Sequence, residues 1–429
     1  MKLEIISSKD QDHSSKKLTD FYKDNLIPAE KKTYLTDLKA GQGPYLGIEG
    51  HDKKPKFLMD AASQIATLGL GFSPSVFFGT AHLLESWTND KTGQEFKEVR
   101  KALTSFLGRK TAWDSTYLTL CNSGAEANEI ALGYCYQNRI NSEANKVLAF
   151  EGSFHGRMMI TLAATWNKVK REPFEWPEAE CAYSPFPESK DGQIIFPIEQ
   201  DWKRLWIDSP KKSFTVLDKY KNSNDELLKD EIKCLLDVRD KLLTKEIFAI
   251  IIEPMQCEGG DRYGTNRFNE ALLLMAKSFG VQVVHDEVQT GFHLGKEFFW
   301  HRQFGMTDLE GQILTPDFVV CAKKAQVGMV LSHQDFRPEI KGEEFQIASV
   351  MRGYLHAIAL DQQQELIIAI EDKTRPRLEA LVNKFPTHLN SPRLNGIAFA
   401  INLEDKEKVM TFISKRRSEE HTSELQSRE

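Results

Sequence analysis

Short apolar segments alternate with amphipathic segments between about residue 100 and residue 330. The apolar segments contain four or five residues with few polar interruptions, at Val147–Phe150, Phe248–Ile252, Val281–Val284 and Phe318–Cys321. Segments of this kind are typical of parallel strands that are buried on both faces. The alternation therefore predicts an α/β fold in which helices cover a mostly parallel sheet.

One connecting helix is predicted together with its end. In the segment TNRFNEALLLMAKSFG, apolar side chains recur at helical spacing, at Phe268, Leu272, Met275 and Phe279. Gly280 follows the last of them, at the position where a glycine commonly ends a helix. A strand, this helix and a second strand would form one crossover unit of the parallel sheet.

Two segments depart from this pattern. Residues 188–246 are rich in charge and are interpreted as an insertion or surface subdomain, in which the amphipathic stretch Glu226–Lys245 forms a solvated helix. The tail at 417–429 contains RSEEHTSELQS, has no apolar period and resembles a translated sequencing adapter. We expect this tail to be non-native and the natural chain to be truncated near Arg416.

Composition narrows the class of protein. With 429 residues, 41% of them apolar and 28% charged, the chain can form two or three lobes of ordinary globular composition. The net charge of −6, with dispersed Lys and Arg, does not favour nucleic-acid binding. No apolar run approaches the roughly 20 residues of a membrane span, and the polar start does not resemble a signal peptide. Six cysteines without a paired motif favour a reduced, cytoplasmic protein, and no metal site is predicted.

Small residues precede a predicted helix in the segment CNSGAEANEIA, which begins at Cys121. Gly124 and Ala125 would leave backbone N–H groups open at the start of the helix, and Ser123 adds a hydroxyl. Such a helix start can bind a phosphate. An ordinary helix cap, formed by Ser123 or Asn122, explains the same residues.

A loop follows the predicted strand that ends at Phe150. It reads EGSFHGR, and loops at strand ends are where sites form in open α/β sheets. Its aromatic residue, Phe154, can lie on a flat ring, and Arg157 can bind a carboxylate through two parallel hydrogen bonds. Arg157 could equally be a residue of a structural ion pair.

Two further apolar strands lead into charged residues. Asp286 follows one of them in VVHDEVQTG, and a buried carboxylate there needs a positive partner, either a protonated ring nitrogen or a nearby arginine. Lys323 follows the other in PDFVVCAKK. Near a phosphate site and a cationic ring its amine could lose its proton and form a Schiff base. A solvated lysine at a strand boundary is the other interpretation.

The order of these four elements, and the residues themselves, resemble the class III (ω-amino acid) aminotransferases of the pyridoxal-phosphate (PLP) fold type I, over roughly residues 40–400. Within that family the chain most resembles lysine 6-aminotransferase and 4-aminobutyrate aminotransferase. The supporting segments are IEPMQCEGGD at 252–261, DEVQTG at 286–291, AKKAQVG at 322–328 and FEWPEAECAY from Phe174.

The resemblance implies pyridoxal 5′-phosphate as the cofactor. Gly124 and Ala125 would bind its phosphate through backbone N–H groups, beside Ser123, and Ser349 would reach the phosphate of a neighbouring subunit. The ring would contact five residues, namely Phe154 and Val288 on its two faces, Asp286 at the pyridine nitrogen, Gln289 at the phenolic oxygen and Lys323 as the Schiff-base lysine.

The implied reaction is transamination in a homodimer. An ω-amine or amino-acid donor of the lysine, 4-aminobutyrate or ornithine type would pass its amino group to an oxo acid such as 2-oxoglutarate. Arg157 would bind a substrate carboxylate, and Glu258 would be the switch acid that masks or frees a second arginine. That arginine lies in the family's C-terminal lobe, beyond this chain, so poor use of 2-oxoglutarate is expected. A PLP aminomutase of the same fold, or a truncated chain without activity, stays an alternative.

The resemblance also implies a domain organisation. Residues 1–84 would form an N-terminal arm and part of a small domain, and residues 85–345 the large PLP-binding domain. Residues 346–416 would form an incomplete C-terminal part of the small α/β domain, before the non-native tail.

Overall fold

The computed structural model describes residues 36–49, 55–60, 63–74, 94–174, 176, 179–207, 219–220, 223–335, 347–408 and 411. The chain divides between Thr88 and Asn89 into two compact units. The domain boundaries predicted at 84/85 and 345/346, and the predicted tail at 417–429, lie outside the described residues and stay predictions.

The first unit contains a three-stranded antiparallel sheet. Its strands are β1 (Thr36–Gln42), β2 (Tyr45–Glu49) and β3 (Pro55–Met59), and they are followed by the short helix α1 (Ser63–Ala66). The turn after β1 is held by two backbone hydrogen bonds between Gly43 and Phe72, of 3.0 and 2.7 Å.

The second unit is built on a seven-stranded sheet. In chain order its strands, together with the short ribbon β8–β9, are β4 (Tyr117–Cys121), β5 (Lys146–Phe150), β6 (Glu180–Ser184), β7 (Ile247–Ile252), β8 (Met255–Gln256), β9 (Arg262–Tyr263), β10 (Gln282–Asp286), β11 (Phe318–Cys321) and β12 (Gly328–Ser332). The spatial order is β4-β12-β11-β10-β7-β5-β6. Strand β12 is antiparallel to both neighbours, and all other pairs are parallel. The four predicted strands are confirmed, as is the mostly parallel sheet.

Helices cover both faces of this sheet, and a hairpin of β13 (Leu389–Asn395) and β14 (Ala398–Leu403) follows the last helix. The helices of the second unit are α2 (Gln94–Thr111), α3 (Gly124–Gln137), α4 (Met159–Ala163), α5 (Lys168–Arg171), α6 (Gln200–Ile207), α7 (Glu226–Leu243), α8 (Asn266–Phe279), α9 (Ile347–Asp361) and α10 (Gln364–Lys384). Among the described helices, none has the length and apolar character of a bilayer span.

The predicted connecting helix is confirmed as α8. Thr265 caps its first turn, because its hydroxyl accepts a hydrogen bond of 3.1 Å from the backbone N–H of Phe268. Gly280 ends it with a φ of 68°, the left-handed conformation that glycine adopts without steric cost. The helix connects β7 to β10, which are parallel neighbours.

Helix α7 differs from the solvated helix predicted in the charged segment 188–246. Its apolar side chains, Leu228, Ile232, Leu235, Val238 and Leu242, are buried in the same core cluster as residues of β7 and α8. The helix is amphipathic, so one face packs on the sheet while the charged face stays outside. The spacing of its apolar residues indicated a buried face. The high charge of the surrounding segment led instead to the prediction of a solvated helix.

The topology brings five loops to one edge of the sheet. Strands β4, β5, β7, β10 and β11 run in the same direction, and their carboxyl ends lie at Cys121, Phe150, Ile252, Asp286 and Cys321. The four chemical motifs singled out in the sequence, and the segment IEPMQCEGGD, each lie at one of these ends. Ligands of open α/β sheets bind outside the carboxyl ends of the strands, so this edge is the place to search for a site.

Candidate active site

The start of α3 provides an open helix N-terminus beside β4. Ser123 is the N-cap, and its hydroxyl accepts a hydrogen bond of 3.2 Å from the backbone N–H of Glu126. The Glu126 carboxylate in turn accepts one of 2.7 Å from the N–H of Asn122. The N–H groups of Gly124 and Ala125 donate to no other described residue. The cap and the open N–H groups, which the sequence offered as alternatives, therefore coexist.

Gly124 allows the start of this helix to approach the loop that follows β10. A Cβ atom at Gly124 would lie 2.7 Å from both methyl groups of Val288, which is too short for any carbon–carbon contact. Gly156 allows the loop after β5 to approach the same helix start, because a Cβ at Gly156 would lie 2.7 Å from the Cβ of Ala125. Three of the five loops thus meet at the first turn of α3.

Asp286 is the buried acid at the centre of the site. Its Oδ2 accepts hydrogen bonds from the side-chain amide of Asn128, at 2.7 Å, and from Nδ1 of His155, at 2.8 Å. Its Oδ1 accepts one of 3.0 Å from the backbone N–H of Val288. No described arginine pairs with Asp286, so the ion pair with a nearby arginine, which the sequence left open as an alternative, is not observed. The remaining acceptor capacity of Oδ1 is available to a donor in the site.

Phe154 lies in the loop after β5 and is half buried. Its backbone N–H donates to the Glu253 carboxylate at 3.0 Å, which ties the loop to the end of β7. Burial, together with the charge of the nearby Asp286, raises the pKa of Glu253 well above its ordinary value. A protonated Glu253 would retain an acceptor oxygen for this hydrogen bond.

Two adjacent lysines follow β11, and both reach Gln289. The amine of Lys323 donates to the side-chain oxygen Oε1 of Gln289 at 3.0 Å, and the amine of Lys324 donates to its backbone oxygen at 2.6 Å. Lys323 has a φ of 24°, a conformation that is uncommon for a residue with a side chain and clusters at functional sites.

The two lysines differ in their surroundings. Burial lowers the pKa of both, and that of Lys324, which is the more deeply buried, falls to about 8. The negative charges of Asp286 and Glu258 act in the opposite direction on Lys323. Lys323 therefore lies within the electrostatic field of the site acids, and its amine also has a lower cost of deprotonation than a solvated lysine.

Three further predicted site residues have the following surroundings. Arg157 is exposed, and its guanidinium makes no hydrogen bond or ion pair with the other described residues. Glu258 forms an ion pair with Lys170. Ser349 is buried on α9, where Arg352 approaches its hydroxyl at 3.5 Å. Its predicted contact is with the phosphate of a second subunit, so that role stays a prediction.

The sequence interpretation missed four residues that organise the site, namely Asn128, His155, Glu253 and Lys170. Asn128 could have been found as a polar residue on the buried face of α3, one turn after the open N–H groups. His155 could have been found from its place between Phe154 and Gly156. Glu253 directly follows the apolar strand β7, much as Asp286 ends β10, and the same argument of a costly buried charge applies to it.

The chain is similar to known proteins over most of its length. The model of the family "Aminotransferase class-III" matches residues 26–420. The 4-aminobutyrate aminotransferase of Emericella nidulans is 26% identical over 358 residues, which are 78% of this chain and 64% of that protein. The human mitochondrial 4-aminobutyrate aminotransferase is 30% identical over 201 residues, which are 45% of this chain and 33% of that protein.

Solved structures give the same picture of the fold. The lysine aminotransferase from M. tuberculosis in the internal aldimine form superposes with a TM-score of 0.70 at 20% identity, covering 91% of this chain and 87% of that one. An amine transaminase from an uncultivated Pseudomonas species, in its PLP-bound form, gives 0.66 at 18% identity, covering 90% and 83%. The predicted α/β fold of the PLP-dependent fold type I transferases is therefore confirmed.

The fold, with its loops at the carboxyl edge of the sheet, defines the class of protein. That class is the fold type I transferases. Within it, the chain belongs to the class-III aminotransferase family. The chain spans 64% of the length of the Emericella nidulans relative and 33% of the length of the human relative.

Proposed function

We propose that this protein binds PLP and catalyses transamination, with Lys323 as the lysine that bonds to the cofactor. The donor would be an ω-amine or amino acid of the lysine, 4-aminobutyrate or ornithine type, and the acceptor an oxo acid such as 2-oxoglutarate. One observation carries this proposal: an open helix N-terminus, a buried carboxylate and a partly buried lysine are joined by direct contacts at one edge of the sheet.

The residues present fit PLP. The open N–H groups of Gly124 and Ala125 suit a phosphate, and the closeness of Gly124 to Val288 suits a flat ring in a narrow space. Asp286 suits a protonated pyridine nitrogen, because its carboxylate is buried and forms an ion pair with no described lysine or arginine. PLP, when bound, supplies an electron sink that stabilises negative charge on the substrate carbon.

The protein's own groups would hold and move protons. Asp286 would keep the proton on the ring nitrogen, while Asn128 and His155 fix the orientation of its carboxylate. Lys323, once its amine is free, would take a proton from the substrate carbon and return it to the cofactor, since burial lowers its pKa. Gln289 would position that amine through its side-chain oxygen.

Lys324 is the competing candidate for attachment of the cofactor. It is more deeply buried than Lys323, and its pKa of about 8 favours a free amine near neutral pH. Its amine is directed to the backbone oxygen of Gln289, whereas that of Lys323 is directed to the side chain. The amine of Lys323 bonds to the Gln289 side chain and the charge of Asp286 acts on it, and for this reason we assign the role to Lys323.

The first prediction concerns Gly124. Gly124→Ala should weaken PLP binding by about tenfold or more, because the new methyl group must displace Val288 or the start of α3. Titration of the cofactor-free protein with PLP measures this. The double variant with Val288→Ala should recover part of the lost affinity, since the clash is removed. Undiminished affinity of the single variant would contradict the proposed phosphate site.

The second prediction concerns Arg157. Arg157→Ala should raise the KM for carboxylate substrates about tenfold or more, because a charge-assisted hydrogen bond is lost, and should leave the absorbance of bound PLP unchanged. Arg139→Ala is the matched control, since Arg139 is also exposed and binds backbone oxygens of Tyr136 and Ser142. If PLP binding and stability fall together with activity in Arg157→Ala, the residue braces the loop and the assignment is wrong.

A panel of amine donors tests the reaction itself. Each donor is supplied with and without 2-oxoglutarate, and the amino acid formed from the oxo acid is measured. Transamination requires stoichiometric transfer that depends on the oxo acid. Turnover of an amine without any oxo acid would favour an aminomutase instead, and the absence of both reactions would contradict the proposal.

A homodimer is also proposed. The loop and helices after Arg157 expose several large apolar side chains, namely Met158, Met159, Val169, Phe174 and Trp176. A second subunit would cover such a surface, as contiguous apolar patches often mark interfaces. A cytoplasmic location stays a prediction, because several of the relatives are named mitochondrial proteins.

A further inference from the structure

Three buried side chains with metal-binding atoms lie together at the end of β10. His285 is in the last turn of the strand pattern before Asp286, Glu287 follows the strand, and His301 lies on the short 3₁₀ helix Trp300–Phe304. One nitrogen of each imidazole and one oxygen of the Glu287 carboxylate lie within 4.8 Å of one another. The three groups are therefore close enough to share one ion after small side-chain movements.

The Glu287 carboxylate is held in place by the segment that carries His301. Its Oε1 accepts hydrogen bonds from the backbone N–H of His301, at 3.0 Å, and from Nδ1 of the same residue, at 2.7 Å. Its Oε2 accepts one of 2.6 Å from the backbone N–H of Trp300. A carboxylate that fixes the orientation of a histidine ring is a common companion of a metal-binding histidine.

The two imidazoles have buried nitrogens that are left without a hydrogen bond. Nδ1 and Nε2 of His285 and Nε2 of His301 have no hydrogen-bond partner among the residues that the structure describes. Such atoms are rare inside proteins, because a buried polar group without a partner is costly. A metal ion binds a histidine nitrogen through its lone pair, so an ion between the two rings would provide the missing partner.

This cluster lies on the opposite face of β10 from Asp286. Successive side chains of a strand point to opposite faces of the sheet. Asp286 shares a face with Val284, which packs in a core cluster with residues of α3, whereas His285 shares a face with Val283, which packs with residues of α8. An ion bound here is therefore separate from the proposed PLP site.

We propose that His285, His301 and Glu287 bind one divalent transition-metal ion of the Zn²⁺ type. Two imidazole nitrogens and one carboxylate oxygen are a donor set that zinc accepts, with a fourth position for water. Ligand atoms about 2.1 Å from one zinc ion lie about 3.4 Å from each other in a tetrahedral site. The bound ion would link the end of β10 to the segment Trp300–Phe304 and so stabilise the fold.

This site was not predicted from the sequence, where no metal site was expected. The three residues form no short motif of metal ligands, and only the folded chain brings His301 beside the end of β10. The proposal does not depend on the proposed transamination, because the ion would have a structural role.

Metal analysis of the full chain, produced without a histidine tag in medium containing Zn²⁺ or Co²⁺, tests the proposal. After dialysis, wild-type protein should retain about one ion per chain. His285→Leu should lower the bound metal about tenfold or more and should lower the Tm of the metal-loaded protein by several degrees. Without a metal site, the same variant only removes unpartnered nitrogens, and its Tm should stay equal or rise.

His293→Gln is the matched control, since His293 is another buried histidine with an unpartnered Nδ1, and its Nε2 lies 3.1 Å from Asp361. This variant should keep its bound metal. X-ray absorption of zinc in the wild-type protein requires no variant and should show two imidazole ligands. The inference is overturned by wild-type protein that retains neither metal, by equal metal content in wild type and His285→Leu, or by bound zinc without imidazole ligands.

Discussion

Replacement of Lys323 by alanine is expected to abolish transamination, with a fall of about four orders of magnitude or more. The variant loses the amine that bonds to PLP and also the base that moves the proton. Its PLP should dissociate during gel filtration, and the visible absorbance of the attached cofactor should vanish. Half-reactions with a single amine donor measure the loss without dependence on the acceptor.

Lys324→Met is the matched control for this variant. It removes the neighbouring amine, which contacts only the backbone oxygen of Gln289, and keeps most of the buried volume. We expect it to retain attached PLP and to lose about tenfold or less in rate, as for the loss of a single hydrogen bond. If Lys324→Met is inactive and Lys323→Ala is not, the two roles are reversed.

Asp286→Asn is expected to lower kcat by about three orders of magnitude. The neutral side chain cannot keep the ring nitrogen protonated, and the electron sink weakens. The amide also fits its neighbours poorly, since Asn128, His155 and Val288 all direct donors at the present carboxylate. We therefore expect a loss of stability of about 1–3 kcal/mol in addition. Rapid half-reaction kinetics and thermal unfolding separate the two effects.

Asp317→Asn is the control for the stability effect. Asp317 is a similarly placed acid at the opposite edge of the sheet, where it accepts a hydrogen bond of 2.8 Å from the backbone N–H of Val283. Its replacement should cost stability and leave kcat within about threefold, because it lies far from the proposed proton path. A mutant at Asp286 that stays within about tenfold of wild type would refute its role as the partner of the ring nitrogen.

The strands and the motif positions could be predicted because their signals are local. Predominantly apolar segments identified β5, β7, β10 and β11, and the positions where they end located the loops. Helix α8 was predicted with its glycine end, since a cap depends on one or two neighbouring residues. Because these strands are parallel, the loops that follow them all lie at one edge of the sheet.

The supporting contacts of the site could not be predicted, because they join residues that are distant in sequence. Asn128 and Asp286 are separated by 158 positions, and Phe154 and Glu253 by 99. Helix α7 shows the same limit for the fold. Its charge suggested a solvated helix, and only the sheet beside it makes its apolar face part of the core.

The choice of Lys323 over Lys324 rests, at the level of the sequence, on the family resemblance alone. Both residues follow the same strand and share one partner, Gln289, so no local pattern distinguishes them. In the folded chain the two amines differ in their partner atom, which is the side-chain oxygen of Gln289 for Lys323 and the backbone oxygen for Lys324.

The assignment of Lys323 as the lysine that bonds to PLP is tested by borohydride reduction of the PLP-loaded protein, followed by peptide mapping by mass spectrometry. Reduction makes the bond between lysine and cofactor permanent, and the mass of the modified peptide locates it. We expect one labelled site per chain, on Lys323. Label on Lys324 or on any other lysine, or no label on a protein that has bound PLP, would contradict it.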